Sequence, residues 1–324
     1  MLRTRKRTNP TPSDQPRAIS AGGGRSAEPR PRSRRIAPVR RPKPSGDLAL
    51  RPGENPRVVA HRGASGDYPE LTLVAYENAL AQGADGIECD IRMTLDGHLV
   101  CIHDSDTSRV SEETRKVRLS TLAELKTLDV GSWHLRHRKP EPPLALRELL
   151  ELIEAYPQAR AFIETKHPVV AGGRVERALA EELRYFGLDR PRSHGESRAV
   201  MMSFSILAVH RFGQIAPQIP RVQLRHYRTG AKPLPAENYG IQVVGPSIDT
   251  IRAKPFLVEH WHQRGLAVYC WTVDDPADVE LCKRLGVDWI GTNFPARTLA
   301  RVNEDEQMRA AEIGTVHGSF ADRD

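Results

Sequence analysis

Short apolar runs, each followed by an amphipathic stretch, recur eight times over about 250 residues, and ionisable groups gather where several of those runs end. This alternation, at that length, predicts an α/β fold of the (β/α)8 TIM-barrel type, with a small insertion after a hairpin on the second strand. A doubly wound sheet is the alternative. It needs a phosphate-binding glycine loop after the first strand, and Gly63 and Gly66 do not form G-x-G-x-x-G.

The elements follow in order. Arg57 to His61 reads as the first strand. Thr72 caps a helix that places Leu73, Tyr76, Ala79 and Leu80 on one face and stops at Gly83. Gly86 to Ile91 is the second strand. A helix over Arg147–Tyr156 precedes the third strand, Ala161–Glu164. The remaining strands are Ala199–Phe204, Arg221–Leu224, Ile241–Gly245, Leu266–Thr272 and Trp289–Thr292. Helices are expected between most of them. One starts near Pro255 and ends at Gly265, one runs from Pro276 to Gly286, and a weak one lies around Pro235–Asn238.

The stretch after the second strand breaks the alternation. Asp96-Gly97 is a two-residue hairpin signal, and centring the turn there sets Asp90 opposite His103. The roughly 40 residues from Asp104 to Pro143 are too many for an ordinary connection, so they read as an inserted subdomain beside the strand ends.

Charge divides the 324-residue chain. Residues 1–52 carry 14 Lys and Arg against three acids, so the net charge of +7 conceals a body of −4. This Pro-, Ser-, Gly- and Arg-rich tail has too little apolar surface to offset its ordering entropy and is expected to be disordered. Its readings are a weak grip on anionic polymers or membranes, or a solvated extension; no specific nucleic-acid partner is indicated. The barrel domain is placed at residues 53–310, with the insertion at about 104–143 and a polar tail at 311–324. Cys89, Cys101, Cys270 and Cys282 lack CxxC spacing and read as reduced residues of a cytoplasmic protein. No apolar run of about 18 residues predicts a transmembrane helix, and the N-terminus has no apolar core of a secretory signal.

Barrel active sites form at the C-terminal ends of the strands. Those ends hold His61-Arg62, Glu88-x-Asp90, Glu164-x-Lys166, Ser203-Phe204 and Trp271, and the hairpin returns His103-Asp104. Glu88 and Asp90, two apart in a strand, share a face. Close carboxylates repel, and a hard cation, Mg2+ or Ca2+, removes that cost, with Glu164 as a third ligand. The bland alternative is a set of solvated acids or a salt bridge to Arg62 or Arg92. Convergence with His61 and His103, whose imidazoles titrate near neutrality, favours a metal site with an acid–base pair.

The residues His61-Arg62-Gly63 followed by Pro69-Glu70-Leu71-Thr72, with Glu88-x-Asp90, Asp96-Gly97 before His103-Asp104, and Ile163-Glu164-Thr165-Lys166, resemble the glycerophosphodiester phosphodiesterase family over about residues 57–300. The resemblance implies metal-dependent hydrolysis of glycerophosphodiesters to glycerol 3-phosphate and an alcohol. His61 and His103 would be general acid and base. Glu88, Asp90 and Glu164 would hold one divalent cation. Arg62 and Lys166 would meet phosphate oxygens, Glu70 would help position the site and Trp271 would wall the alcohol pocket. Family chemistry implies attack by the glycerol's own neighbouring hydroxyl, through a cyclic phosphate. Two positions depart from the family pattern, Leu71 for Asn and Asn293 for Asp. The other readings are a lysophospholipase D-type enzyme, with Leu119, Leu122, Leu125, Leu128 and Trp133 either supplying an apolar channel or simply forming the core of the insertion, and an inactive barrel used as a binding module.

Overall fold

The computed structural model describes residues 48–51, 53–168, 172–226 and 239–304. The tail up to residue 47, the weak helix at Pro235–Asn238 and the C-terminal tail from 311 lie outside the described residues.

Eight parallel strands close into a barrel: β1 (Arg57–His61), β2 (Gly86–Met93), β4 (Arg160–Thr165), β5 (Ala199–Ser203), β6 (Arg221–Arg225), β7 (Val243–Pro246), β8 (Ala267–Cys270) and β9 (Trp289–Thr292). The order β1-β9-β8-β7-β6-β5-β4-β2 is completed by pairing of β1 with β2. Outside the ring, the short β3 (Leu99–Cys101) pairs antiparallel with β2. Among the described residues the α-helices are α1 (Leu73–Ala81), α2 (Leu122–Leu125), α3 (Leu146–Glu154), α4 (Arg174–Tyr185), α5 (Ile206–Ile215), α6 (Ile248–Ala253), α7 (Phe256–His262) and α8 (Pro276–Leu285). Among the described residues no helix is long and apolar enough to cross a membrane.

Local chemistry sets the element ends. Thr72 caps α1, its hydroxyl accepting from the Ala75 amide. Asp275 caps α8, Pro276 opens it, and Gly286 at φ 74° closes it in the left-handed conformation that glycine adopts without strain.

Alternation along the strands divides the core in two. Val59, Phe162, Val200, Met202, Val222, Leu224, Tyr269 and Trp289 fill the barrel interior. The opposite strand faces pack with the helices in the larger outer layer, through residues such as Tyr76, Leu149, Leu179, Phe212, Val258 and Ile290. Phe162 stacks on Tyr269 at 5.4 Å and tilts against Trp289 at 5.1 Å, closing the interior below the strand ends. Burying each such side chain contributes roughly 1.5–3 kcal/mol.

The structure departs from these expectations at three points. The hairpin register pairs Ile91 with Cys101 and Met93 with Leu99, one residue away from the pairing expected. The cause is a three-residue loop rather than a two-residue turn: Thr94 pairs with His98, and Gly97 takes φ 90°. The Asp90 backbone carbonyl therefore accepts from the Ile102 amide, and Asp90 does not face His103. Contacts with the barrel extend ahead of residue 53: the Leu48 carbonyl accepts from the Trp289 indole at 2.7 Å and the Leu50 amide donates to Asp288 at 2.6 Å. A separate helix, α6, precedes α7 where one was expected. In the insertion, Leu125 and Leu128 join Val100, Ile102 and Val117 in a small separate core, while Leu119 and Trp133 stand exposed.

Candidate active site

The site follows from parallel register. His61 pairs with Glu88 across β1–β2, and Asp90 pairs with Glu164 across β2–β4. Paired residues of adjacent strands point to the same side, so all four side chains gather at one end of the barrel interior. A cavity of about 260 Å3 opens there, and His61 and His103 both line it. Arg62, Glu88, Glu164, Lys166 and Trp271 also contribute to its wall.

One oxygen from each of Glu88, Asp90 and Glu164 lies within 4.8 Å of the others, and all three side chains are buried. Burial, reinforced by Asp90, pushes the Glu88 carboxyl well above the usual carboxylate range. The same causes push Glu164 up to about 7. Burial acts on Asp90 too, but Lys166 and then Arg62 overcome it and hold the carboxyl at about 2. Lys166 Nζ stands 2.8 Å from Asp90 and 2.9 Å from Glu164, and Arg62 Nε stands 3.0 Å from Asp90.

These residues fit a divalent cation. The donors are hard oxygens, converging from three strand positions, and Asp90 Oδ2 meets Arg62 Nε as an ion pair rather than through an aligned hydrogen bond. Glu70 and Asp104 extend this acidic group, and Arg62, Arg92, Arg109 and Lys166 are cations that face it.

His61 is held from within the barrel. Its Nδ1 lies 2.8 Å from Asn293 Oδ1, which also accepts from the Ser65 hydroxyl at 2.8 Å. Behind it, Asn293 Nδ2 donates to Asp274 at 2.7 Å and the Asn293 amide donates to the same carboxylate at 2.8 Å. Asp274 only accepts and the Ser65 hydroxyl already bonds Asn293, so the amide oxygen faces the imidazole and places the His61 proton on Nδ1. Nε2 is left toward the cavity, 3.9 Å from Glu88. Burial, then Arg62, lowers the His61 pKa, and the Asn293 bond offsets part of that.

His103 is held from the insertion. Its Nδ1 lies 2.9 Å from Asp104 Oδ1, and its carbonyl accepts from the Arg92 guanidinium at 2.8 and 2.9 Å. Burial lowers its pKa as well, with Asp90 opposing. Glu70 does not line the cavity. It accepts from Arg62 at 3.2 Å and from Arg109 at 2.7 and 2.9 Å, so its oxygens are spent on two arginines. Trp271 donates from its indole to the Gly245 carbonyl at 2.9 Å and meets Phe204 and His226 edge to face.

The loop after β1 explains its glycines. Gly63 has φ 83°, and a Cβ there would lie 2.8 Å from Ala75. A Cβ on Gly66 would lie 2.0 Å from the Phe294 ring, where the Gly66 amide donates to the Asn293 carbonyl. Leu71 takes φ 60°, a region that favours glycine and asparagine; its buried side chain offsets the strain.

Around the site, sequence reasoning gave no role to Arg109, Asp274 and His226; it set Phe204 at a strand end and noted Asn293 only as a departure from the family pattern. A periodic signal existed for three of these five. Continuing the inward alternation by one step gives Phe204 after Met202, His226 after Leu224 and Asn293 after Trp289 and Gly291. Arg109 and Asp274 have no such periodic signal.

Residues 61–297 match the glycerophosphoryl diester phosphodiesterase family. The chain belongs to that family. A Mycobacterium tuberculosis protein named "Probable glycerophosphodiester phosphodiesterase 1" is 44% identical over 252 residues, 76% of this chain and 92% of the relative. Among solved structures, a glycerophosphodiester phosphodiesterase from Agrobacterium tumefaciens is 28% identical with a TM-score of 0.63, covering 76% of this chain and 99% of that one. An Oleispira antarctica phosphodiesterase, in complex with the product sn-glycerol-3-phosphate, is 25% identical with a TM-score of 0.66, covering 77% and 97%. The family match makes this barrel a phosphodiesterase scaffold, and its buried acidic cluster provides a group able to bind a metal.

Proposed function

We propose that the chain hydrolyses glycerophosphodiesters to glycerol 3-phosphate and an alcohol, with His61 and His103 as the general acid–base pair. The observation that carries this reading is that both imidazoles line one cavity, beside three converging carboxylates. Glu88, Asp90 and Glu164 are the residues that would hold a single Mg2+ or Ca2+, which when bound supplies positive charge to the phosphate oxygens. Arg62 and Lys166 add fixed positive charge at the same wall, where negative charge grows on the phosphoryl group during displacement. One imidazole accepts the proton of the attacking hydroxyl at its free nitrogen, and the other returns a proton to the leaving alcohol oxygen. In both rings Nδ1 is engaged, by Asn293 and by Asp104, so Nε2 is the atom that exchanges the proton. Trp271, with Phe204 and His226, forms an aromatic wall suited to the carbon skeleton of an alcohol.

The lysophospholipase D reading draws no support from the insertion. Among the described residues, none of its five apolar candidates lines the cavity. Comparing a water-soluble glycerophosphodiester with its acylated counterpart separates the two substrates, and preferred turnover of the acylated one overturns the assignment. His61→Ala and His103→Ala are each expected to lower kcat about 10²–10⁴-fold. Chelation by EDTA is expected to stop turnover, and added Mg2+ or Ca2+ to restore it. Unchanged kcat in either histidine variant removes the acid–base pair, and full activity in EDTA removes the cation.

A further inference from the structure

We propose that Arg109 is a positioning residue, which aims His103 through Asp104 while clamping Glu70 against Arg62; the inference rests on the reading that His103 transfers a proton. All three guanidinium nitrogens are engaged. Nε donates to Asp104 Oδ2 at 2.6 Å, while Nη1 and Nη2 donate to the two Glu70 oxygens at 2.9 and 2.7 Å. The Asp104 oxygens divide the work, Oδ1 toward His103 and Oδ2 toward Arg109. A carboxylate gripped on one oxygen cannot rotate without breaking a charge-assisted bond, so the other oxygen keeps its aim. Glu70 Oε1 is shared between Arg109 and Arg62, which extends the clamp to a wall of the cavity.

Arg109 comes from a segment with no helix and no ladder, yet the segment is tied. Thr107 is fully buried. Its hydroxyl donates to the Glu113 carbonyl at 2.7 Å and accepts from the Arg115 amide at 2.9 Å. The Val110 and Ser111 amides both donate to the Thr107 carbonyl, and Ser108 bonds Asp106 through its amide and hydroxyl. Arg109 therefore sits on a preformed turn. The insertion is joined to the rim at the point where it orients an imidazole. Lysine supplies the charge but not the fork that spans two carboxylates.

The test is a kinetic cycle with glycerophosphodiester substrate. Arg109→Gln is expected to lower kcat up to about 10²-fold, the scale of a misaimed proton-transfer group. Arg109→Lys is expected to recover little of that loss, with thermal melting and Mg2+ or Ca2+ affinity by calorimetry unchanged in both. Combined with Asp104→Asn, Arg109→Gln is expected to cost little beyond Asp104→Asn alone, because both act along one path. Full recovery by lysine, or losses that multiply in the double variant, overturns the inference. If the glutamine variant does not fold, the lysine variant carries the same cycle. An active His103→Ala enzyme removes the underlying reading; an inactive one beside a fully active Arg109→Gln removes only this inference.

Discussion

The half of the site that grows from the barrel and the half that comes from loops hold their imidazoles by different means. His61 ends a buried strand and is oriented by a neutral amide, Asn293, at the end of the neighbouring strand. Hydrogen-bond ladders on both sides of β1 already fix that backbone, so one neutral bond suffices to set the ring. His103 lies past the end of β3, without a ladder. Its ring is oriented by a carboxylate, itself gripped by Arg109, and the side chains of His103, Asp104 and Arg109 are 32%, 37% and 43% exposed, against 18% for His61. Ion pairs stand where the ladder ends. A carboxylate also stabilises an imidazolium more than an amide does, so the two halves bias their rings unequally toward holding a proton.

Three measurements break or sharpen this contrast. The largest effect is expected from Asp104→Asn, which turns a charge-assisted bond worth about 1.5–3 kcal/mol into a neutral one and lowers kcat by about 10–100-fold. Its cation affinity by calorimetry should match that of the unaltered protein, because the acids proposed to hold the cation belong to the barrel half; a large fall in affinity would merge the two halves. Next comes the pH dependence of cation binding. Glu164 is raised to about 7, so below that pH a proton occupies an oxygen proposed as a ligand, and above it the group is a carboxylate. From pH 8 to pH 6 the affinity for Mg2+ or Ca2+ should therefore fall about tenfold or more, since Glu88 is raised as well. A flat profile would show that the acids carry no such burden. The smallest effect is expected from Asn293→Ala, which removes a neutral bond worth about 1 kcal/mol and lowers kcat about fivefold. If it costs more than Asp104→Asn, the ladder does not hold His61 as argued.

Much of this was legible before any coordinates. Strand positions could be read from apolar runs, and most were placed within a residue or two. The exceptions have physical causes. The hairpin slipped by one because Thr94 bonds both the His98 amide and Asp96, which widens the loop by a residue beyond what Asp96-Gly97 alone implies. The split between α6 and α7 occurs at Lys254-Pro255, where proline disfavours helical backbone in the preceding residue. Leu48 could not be assigned to the barrel, because a single apolar residue beside a basic tail carries no periodicity.

The sequence by itself determined the barrel, the family and the carboxylates and histidines proposed for the chemistry, because each lies in or just beyond an apolar strand run, a pattern that is local. Only the tertiary structure decided how those histidines are held. Asp274 and Asn293 reach His61 from the far end of the chain, and Arg109 joins Asp104 to a glutamate 39 residues away. Such pairings depend on closure of the ring and on the path of a loop, and neither leaves a repeating mark along the chain.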